Sequence, residues 1–169
     1  MTTNGQWAGD MSTYEQLIGL LDGAGVGYKL IDHAPDGTTE TVSALRGHPV
    51  AQGAKCIILI VKPNKRTTKY VLAVVPGDCR VDLDAIKQLY GARYVGFADA
   101  ATAERLARTI PGTVLPFSLD PELDLIADPA VVAQPEIYFN AARLDRSVMM
   151  SGADYAAIAK PRIEPITPR

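Results

Sequence analysis

The chain has 169 residues, 47% of them apolar, and a formal net charge of −2. That length suits one domain with its own core and is short for two. The composition excludes a disordered or fibrous chain, and the charge argues against a protein that wraps long stretches of nucleic acid; contact with one RNA end needs only a few local cations. No apolar run approaches the ~18 residues of a membrane helix. The first residues lack the basic-then-apolar order of a signal peptide. Two cysteines, Cys56 and Cys79, make no disulfide framework, so a reduced, cytoplasmic setting is expected.

Residues 1–11 read as a flexible tail. Ser12 and Glu15 then form a capping box that opens a helix, with Tyr14, Leu17, Ile18 and Leu21 on one face. Gly23, Gly25 and Gly27 stop it. A short strand is expected over 28–31, a loop over 33–37 and a short helix over 39–46, closed by Gly47 and Pro49. The apolar run 56–61 reads as a buried strand, entered through Gly53 and Lys55 and left through Pro63. A turn at 63–66 returns the chain into a second strand, 69–75, which makes an antiparallel hairpin. Lys62, Lys65, Arg66 and Lys69 at its tip read as a solvated turn.

Pro76-Gly77-Asp78 breaks that strand, and Asp82 caps a helix carrying Leu83, Ile86, Leu89 and Tyr90. A brief strand over 94–97 and a helix over 99–110 follow. Short strands are expected over 114–117, 123–127, 137–140 and 148–150, then a closing helix over 154–159. Residues 161–169, with three prolines, read as a loose C-terminal tail. The whole is a single α+β domain, 12–160, built on a central mixed, largely antiparallel sheet flanked by helices.

The usual catalytic kits are missing. His33 and His48 are the only histidines, and neither has a cysteine nearby in sequence; His48 reads as a surface residue. No HExxH, paired CxxC, Walker loop or Gly-x-Ser-x-Gly elbow occurs, and no metal or other cofactor is expected. The glycines at 23, 25 and 27 follow a helix, not a strand, so they are no dinucleotide fingerprint. What remains is a positioned lysine, Lys55, beside a buried strand, and a rigid Gly112-x-x-x-Pro116 loop. A charge at the mouth of a core must snorkel, pair or serve a site. Such residues act by orienting a substrate that brings its own reactive group.

The order of these features resembles the YbaK-type, free-standing relatives of the editing domain inserted in bacterial prolyl-tRNA synthetase. Three stretches carry the likeness: Lys55 with its apolar strand, Pro76-Gly77-Asp78-Cys79-Arg80-Val81-Asp82-Leu83, and Gly112-x-x-x-Pro116 followed by Leu125-Ile126-Ala127-Asp128. Arg46-Gly47 with Gln52-Gly53-Ala54-Lys55, and Phe139-Asn140-Ala141 with Leu144-Asp145-Arg146-Ser147-Val148, are similar to the YeaK-like group. The resemblance implies hydrolysis of the ester that joins a wrong, small amino acid (Ser, Thr or Ala) to the end of a tRNA. It implies a mischarged aminoacyl-tRNA as partner and admits an aminoacyl-tRNA synthetase as a second one; a monomer is the simplest reading of the chain, and no membrane is expected.

The resemblance also distributes roles. Lys55 holds the terminal nucleotide or its phosphate, and Gly112 to Pro116 place backbone groups around the ester and the water. Thr113 within that loop, His33, Ser43, Arg46, Asp128 and Asn140 are the candidate substrate-binding residues. Each has a plainer reading: His33 as a loop residue, Ser43 and Arg46 as solvated helix positions, Asp128 as a cap before Pro129, Asn140 as a turn. One departure is visible. Many relatives carry Thr-Gly where this chain has Ala107-Arg108, which puts the lip of the pocket in question and makes Arg108 a candidate RNA contact. That departure motivates a second reading, a non-catalytic module on the same fold that binds a tRNA end, a nucleotide or a synthetase.

Overall fold

The computed structural model describes residues 11–168; the expected tail over 1–11 lies outside them except for Met11. The first helix, α1 (Thr13–Ala24), opens on the expected capping box: Glu15 N–H donates to Ser12 Oγ and Ser12 N–H to Glu15 Oε1. It closes on Gly25 at φ 69°, in the left-handed region that glycine enters freely. Strand β1 (Tyr28–Asp32) and helix α2 (Thr39–Arg46) follow. A 3₁₀ turn (Val50–Gln52) leads into β2 (Ala54–Lys62), which returns as β3 (Lys69–Pro76). Helix α3 (Leu83–Tyr90) is capped by the Asp82 carboxylate, and β4 (Tyr94–Phe97) and α4 (Ala100–Ala107) follow. Then come β5 (Leu123–Ala127), α5 (Pro129–Val132), β6 (Ile137–Arg143), β7 (Arg146–Met150), α6 (Gly152–Ala159) and β8 (Arg162–Ile163).

The strands divide into two sheets rather than the one central sheet expected. A five-stranded mixed sheet has the order β4-β2-β3-β5-β8, and a three-stranded antiparallel sheet the order β1-β7-β6. The β2–β3 hairpin forms as expected, pairing Lys55 with Val75 through to Val61 with Lys69. An isolated parallel bridge, Gly53 to Tyr138, connects the sheets. Side chains alternate across a strand. Ile58, Leu72 and Val74 therefore pack against the small sheet, α1 and Tyr155, whereas Leu59, Val61, Val71, Ala73 and Val75 pack against α3 and Ile166. This two-sided burial explains why β3 is apolar almost throughout.

Three other expectations change. Residues 114–117 form no strand; Leu115 and Phe117 plug into the core as irregular chain, Phe117 edge-on to Phe139 and Tyr155. The helix expected over 99–110 ends at Ala107, because Arg108 adopts φ 59° and its N–H caps Glu104 O. The closing helix begins two residues early, because Ser151 Oγ accepts from Asp154 N–H.

The C-terminal segment is not loose. Its β8 pairs in parallel with β5, and Ile166 is fully buried. Asp128 accounts for this: one carboxylate oxygen accepts from Ala130 N–H at the start of α5, and the other from Ile166 N–H and the Thr167 hydroxyl. Asp128→Ala is expected to cost ~2–3 kcal/mol by removing a cap and the strap anchor together. Urea denaturation checks this, and an unchanged midpoint contradicts the role.

Candidate functional site

The N-terminal end of β2 meets β6 where the two sheets touch, and a cavity of about 170 Å³ opens there. Its floor is Gly53, just before β2, and Ala54 and Cys56 of β2, with Tyr138, Phe139 and Asn140 from β6; Gly37, Gly112 and Val114 close one side, and Thr39, Val42 and Arg46 of α2 the other. Lys55 stands on its rim. Among the described residues that line it, Arg46 and Lys55 are the cations, and none is a carboxylate or an imidazole.

One side chain fixes the loops. Asn140 Nδ2 donates to the carbonyls of Asp36 at 2.9 Å and Gly112 at 3.1 Å. Its Oδ1 accepts from the Ser147 hydroxyl at 2.9 Å. Beyond Ser147, His33 Nε2 lies 2.7 Å from Ser147 Oγ, and its Nδ1 2.9 Å from the Ala34 carbonyl. The loops are in near contact: a Cβ on Gly37 would lie 2.9 Å from Gly112 Cα, and Gly112 has φ 83°. Glycine is required at both places, by space at Gly37 and by conformation as well at Gly112.

The candidate residues separate accordingly. Lys55, Gly112, Arg46 and Asn140 come together at the cavity. Asn140, however, commits its amide to the loops and to Ser147, and His33 sits behind it, outside the cavity wall. Thr113 is fully buried, its hydroxyl bonded to Thr109 and to the Ile110 carbonyl, so it holds the turn and does not face the cavity. Pro116 is buried behind the loop. Ser43 is buried beneath α2, near Gly53, its hydroxyl without a partner among the described residues. Asp128 serves the C-terminal strap, as described, and lies outside the cavity wall. Thr39, Tyr138 and Gly37 are cavity residues that the sequence reading missed; for Tyr138 the alternation within Ile137-Tyr138-Phe139-Asn140 was the usable signal.

Arg46 is the electrostatic centre. Its Nε donates to Val42 O at 3.3 Å, and its Nη1 is buried with no partner among the described residues. Burial lowers its pKa to about 10. Both cysteines are poor nucleophiles here, since burial pushes the Cys56 thiol up and burial with Asp78 raises Cys79. Ala107 and Arg108 do not line the cavity. Arg108 occupies a left-handed conformation of the kind glycine favours and reaches Asp120 at 3.7 Å. The basic hairpin tip at Lys62 is seven residues from Lys55 along β2, ~23 Å away at the usual strand rise.

The family described as "aminoacyl-tRNA editing domain" matches residues 33–158. This chain belongs to that family. A curated relative, the multifunctional Ser/Thr-tRNA deacylase ProXp-y of Escherichia coli K12, is 36% identical over 152 residues, covering 89% of this chain and 90% of that protein. Among solved structures, hypothetical protein APE2540 aligns with TM-score 0.82 at 21% identity, over 91% of this chain and 100% of its own. A putative trans-editing enzyme for prolyl tRNA synthetase aligns with TM-score 0.76 at 18% identity, over 94% of this chain and 99% of its own. At those identities the two structures establish the fold, an α+β editing-domain architecture. No helix among the described residues is long and apolar enough to cross a membrane.

His48, read from sequence as a surface residue, is buried and stacks on Tyr138 with ring centroids 3.8 Å apart. Burial lowers its pKa, Arg46 lowers it further, and the Pro49 carbonyl opposes them. The unfolded chain therefore binds the extra proton more readily, and stability falls as pH drops below about 6.5, the ordinary histidine value. His48→Phe keeps a ring on Tyr138 without the titration. Its thermal midpoint is expected to fall less than wild type between about pH 7.5 and 5.5; equal falls exclude His48 as the group.

Proposed function

We propose that this chain hydrolyses the ester of mischarged aminoacyl-tRNA carrying a small amino acid, Ser, Thr or Ala, acting in trans as a cytoplasmic monomer. Its partner is the tRNA acceptor end, and a synthetase that produces such errors is the second partner this reading implies. The observation that carries it is the small cationic cavity between Lys55 and the Gly112 loop, in a chain of the editing-domain family. The relative named a Ser/Thr-tRNA deacylase, similar over nearly its whole length, supports the same chemistry.

In this reading the amino acid enters between Val42, Val114 and Phe139, where side-chain size limits admission. Lys55 holds phosphate at the rim as a point charge. Arg46, a cation of the cavity wall, faces the negative charge that develops on the carbonyl oxygen as water adds. Among the described residues the cavity wall offers no carboxylate or imidazole base, and in this reading the proton leaving the water passes to the substrate. The neighbouring ribose hydroxyl and the free α-amino group are the atoms that can relay it to the departing ribose oxygen. Water is consumed, and the free amino acid and the tRNA hydroxyl are released. Asn140, Ser147 and His33 act by holding the two loops in place.

A panel of seryl-, threonyl- and alanyl-tRNAs is expected to show release of at least one amino acid by micromolar enzyme. Lys55→Ala should lower kcat/KM about 10- to 100-fold, the loss of one charge-assisted hydrogen bond. No turnover on the panel defeats the proposal; binding without turnover supports the non-catalytic module instead. Gly37→Ala, which drives a Cβ into Gly112, is expected to cost about 100-fold in activity by displacing the loops. Gly19→Ala, which meets nothing within 4 Å, is the control that leaves the rate unchanged.

A further inference from the structure

A second cavity adjoins the first across Lys55. Its volume is about 550 Å³, against about 170 Å³ for the first. The two share Lys55, and strand alternation places its side chain on the second cavity's side of β2. Ala54 and Cys56 project toward the small sheet, whereas Lys55 shares the opposite face with Ile57. Phe97, opposite Leu59 in the β2–β4 register, lies on that same face. It is 65% exposed on an edge strand, its ring open to the groove among the described residues. Ile57, Leu83 and Pro168 complete the apolar wall, and Arg80 adds a second cation. Asp82 and Asp84 also line the groove; one Asp82 oxygen is committed to the N–H groups of Asp84 and Ala85.

The first cavity is smaller than the ~300–1,000 Å³ usual for whole ligands, and the second lies within that range. An aminoacyl-tRNA end has two dissimilar parts: a small aminoacyl group, and a nucleotide with a flat base and a phosphate. An exposed aromatic ring suits a base by stacking, and lysine with arginine suits a phosphate. The carboxylates offer acceptors to an exocyclic amine. We infer that the groove of Lys55, Arg80 and Phe97 binds the terminal nucleotide, adenine against Phe97 and phosphate between the two cations. Lys55 then divides the two subsites, aminoacyl group on one side and nucleotide on the other. This rests on the deacylase reading above.

Titration of adenosine 5′-monophosphate into ¹⁵N-labelled protein is expected to shift the amide signals of Ile57, Leu83 and Phe97. Phe97→Ala should weaken that binding about tenfold, and raise KM for the best aminoacyl-tRNA of the panel about tenfold while kcat stays within about twofold. Phe97 is exposed, so the variant keeps its fold, which its thermal midpoint verifies. Arg80→Ala should weaken the monophosphate but not adenosine. Absent shifts, shifts confined to other surfaces, or a Phe97→Ala variant with unchanged Kd and KM overturn the inference. Nucleotide binding in the groove without turnover of any aminoacyl-tRNA sinks the deacylase reading alone. Turnover with an inert Phe97→Ala variant sinks the groove alone.

Discussion

The site depends on one buried amide. Asn140 ties the loop before α2 to the loop after α4 by donating to a carbonyl in each, and Ser147 and His33 hold its oxygen side in place. A buried polar group left unpaired costs ~1–3 kcal/mol, so the three bonds restrain one another. The Gly37–Gly112 approach is the geometric counterpart: loops this close leave no room for a Cβ between them. The cavity wall is consequently made of backbone as much as of side chains, and its shape follows from segments 75 residues apart in sequence at their two glycines.

The second organising element is β2. Its alternation sends Ala54 and Cys56 to one side of the sheet and Lys55 and Ile57 to the other. A lysine at this point serves two spaces without entering the core. The cavity side adds Arg46, whose Nη1 is buried and unpartnered. Buried donors without acceptors are uncommon in native proteins, and those that persist call for an explanation. The proposed deacylase reading offers one, an anionic reaction centre beside the guanidinium; among the described residues of the wall no carboxylate neutralises Arg46.

The departure at Ala107-Arg108 touches neither space. Arg108 caps α4 in the left-handed region at some conformational cost, and its side chain reaches Asp120. The pocket lip is set instead by Val114 and the glycine pair.

Local chemistry was legible in the sequence. The Ser12–Glu15 capping box, the Asp82 cap, the β2–β3 hairpin and β5 over 123–127 all occur as expected, because each depends on residues a few positions apart. Order and spacing likewise pointed to the editing-domain family, and the Lys55 and Gly112 they singled out line one cavity. The sequence was silent wherever distant segments decide. Apolar alternation cannot say which strand pairs with which, so the division into two sheets was missed. Three prolines suggested a loose tail, whereas a carboxylate 38 positions from Ile166 holds it. Asp128, Thr113 and His33 had the right residue types for a site, but tertiary contacts commit their polar atoms elsewhere. Sequence determined which elements form and which family they belong to, because those follow from local propensity and motif order. The tertiary structure alone decided that Lys55 stands between two cavities, because that position arises from the meeting of sheets and loops.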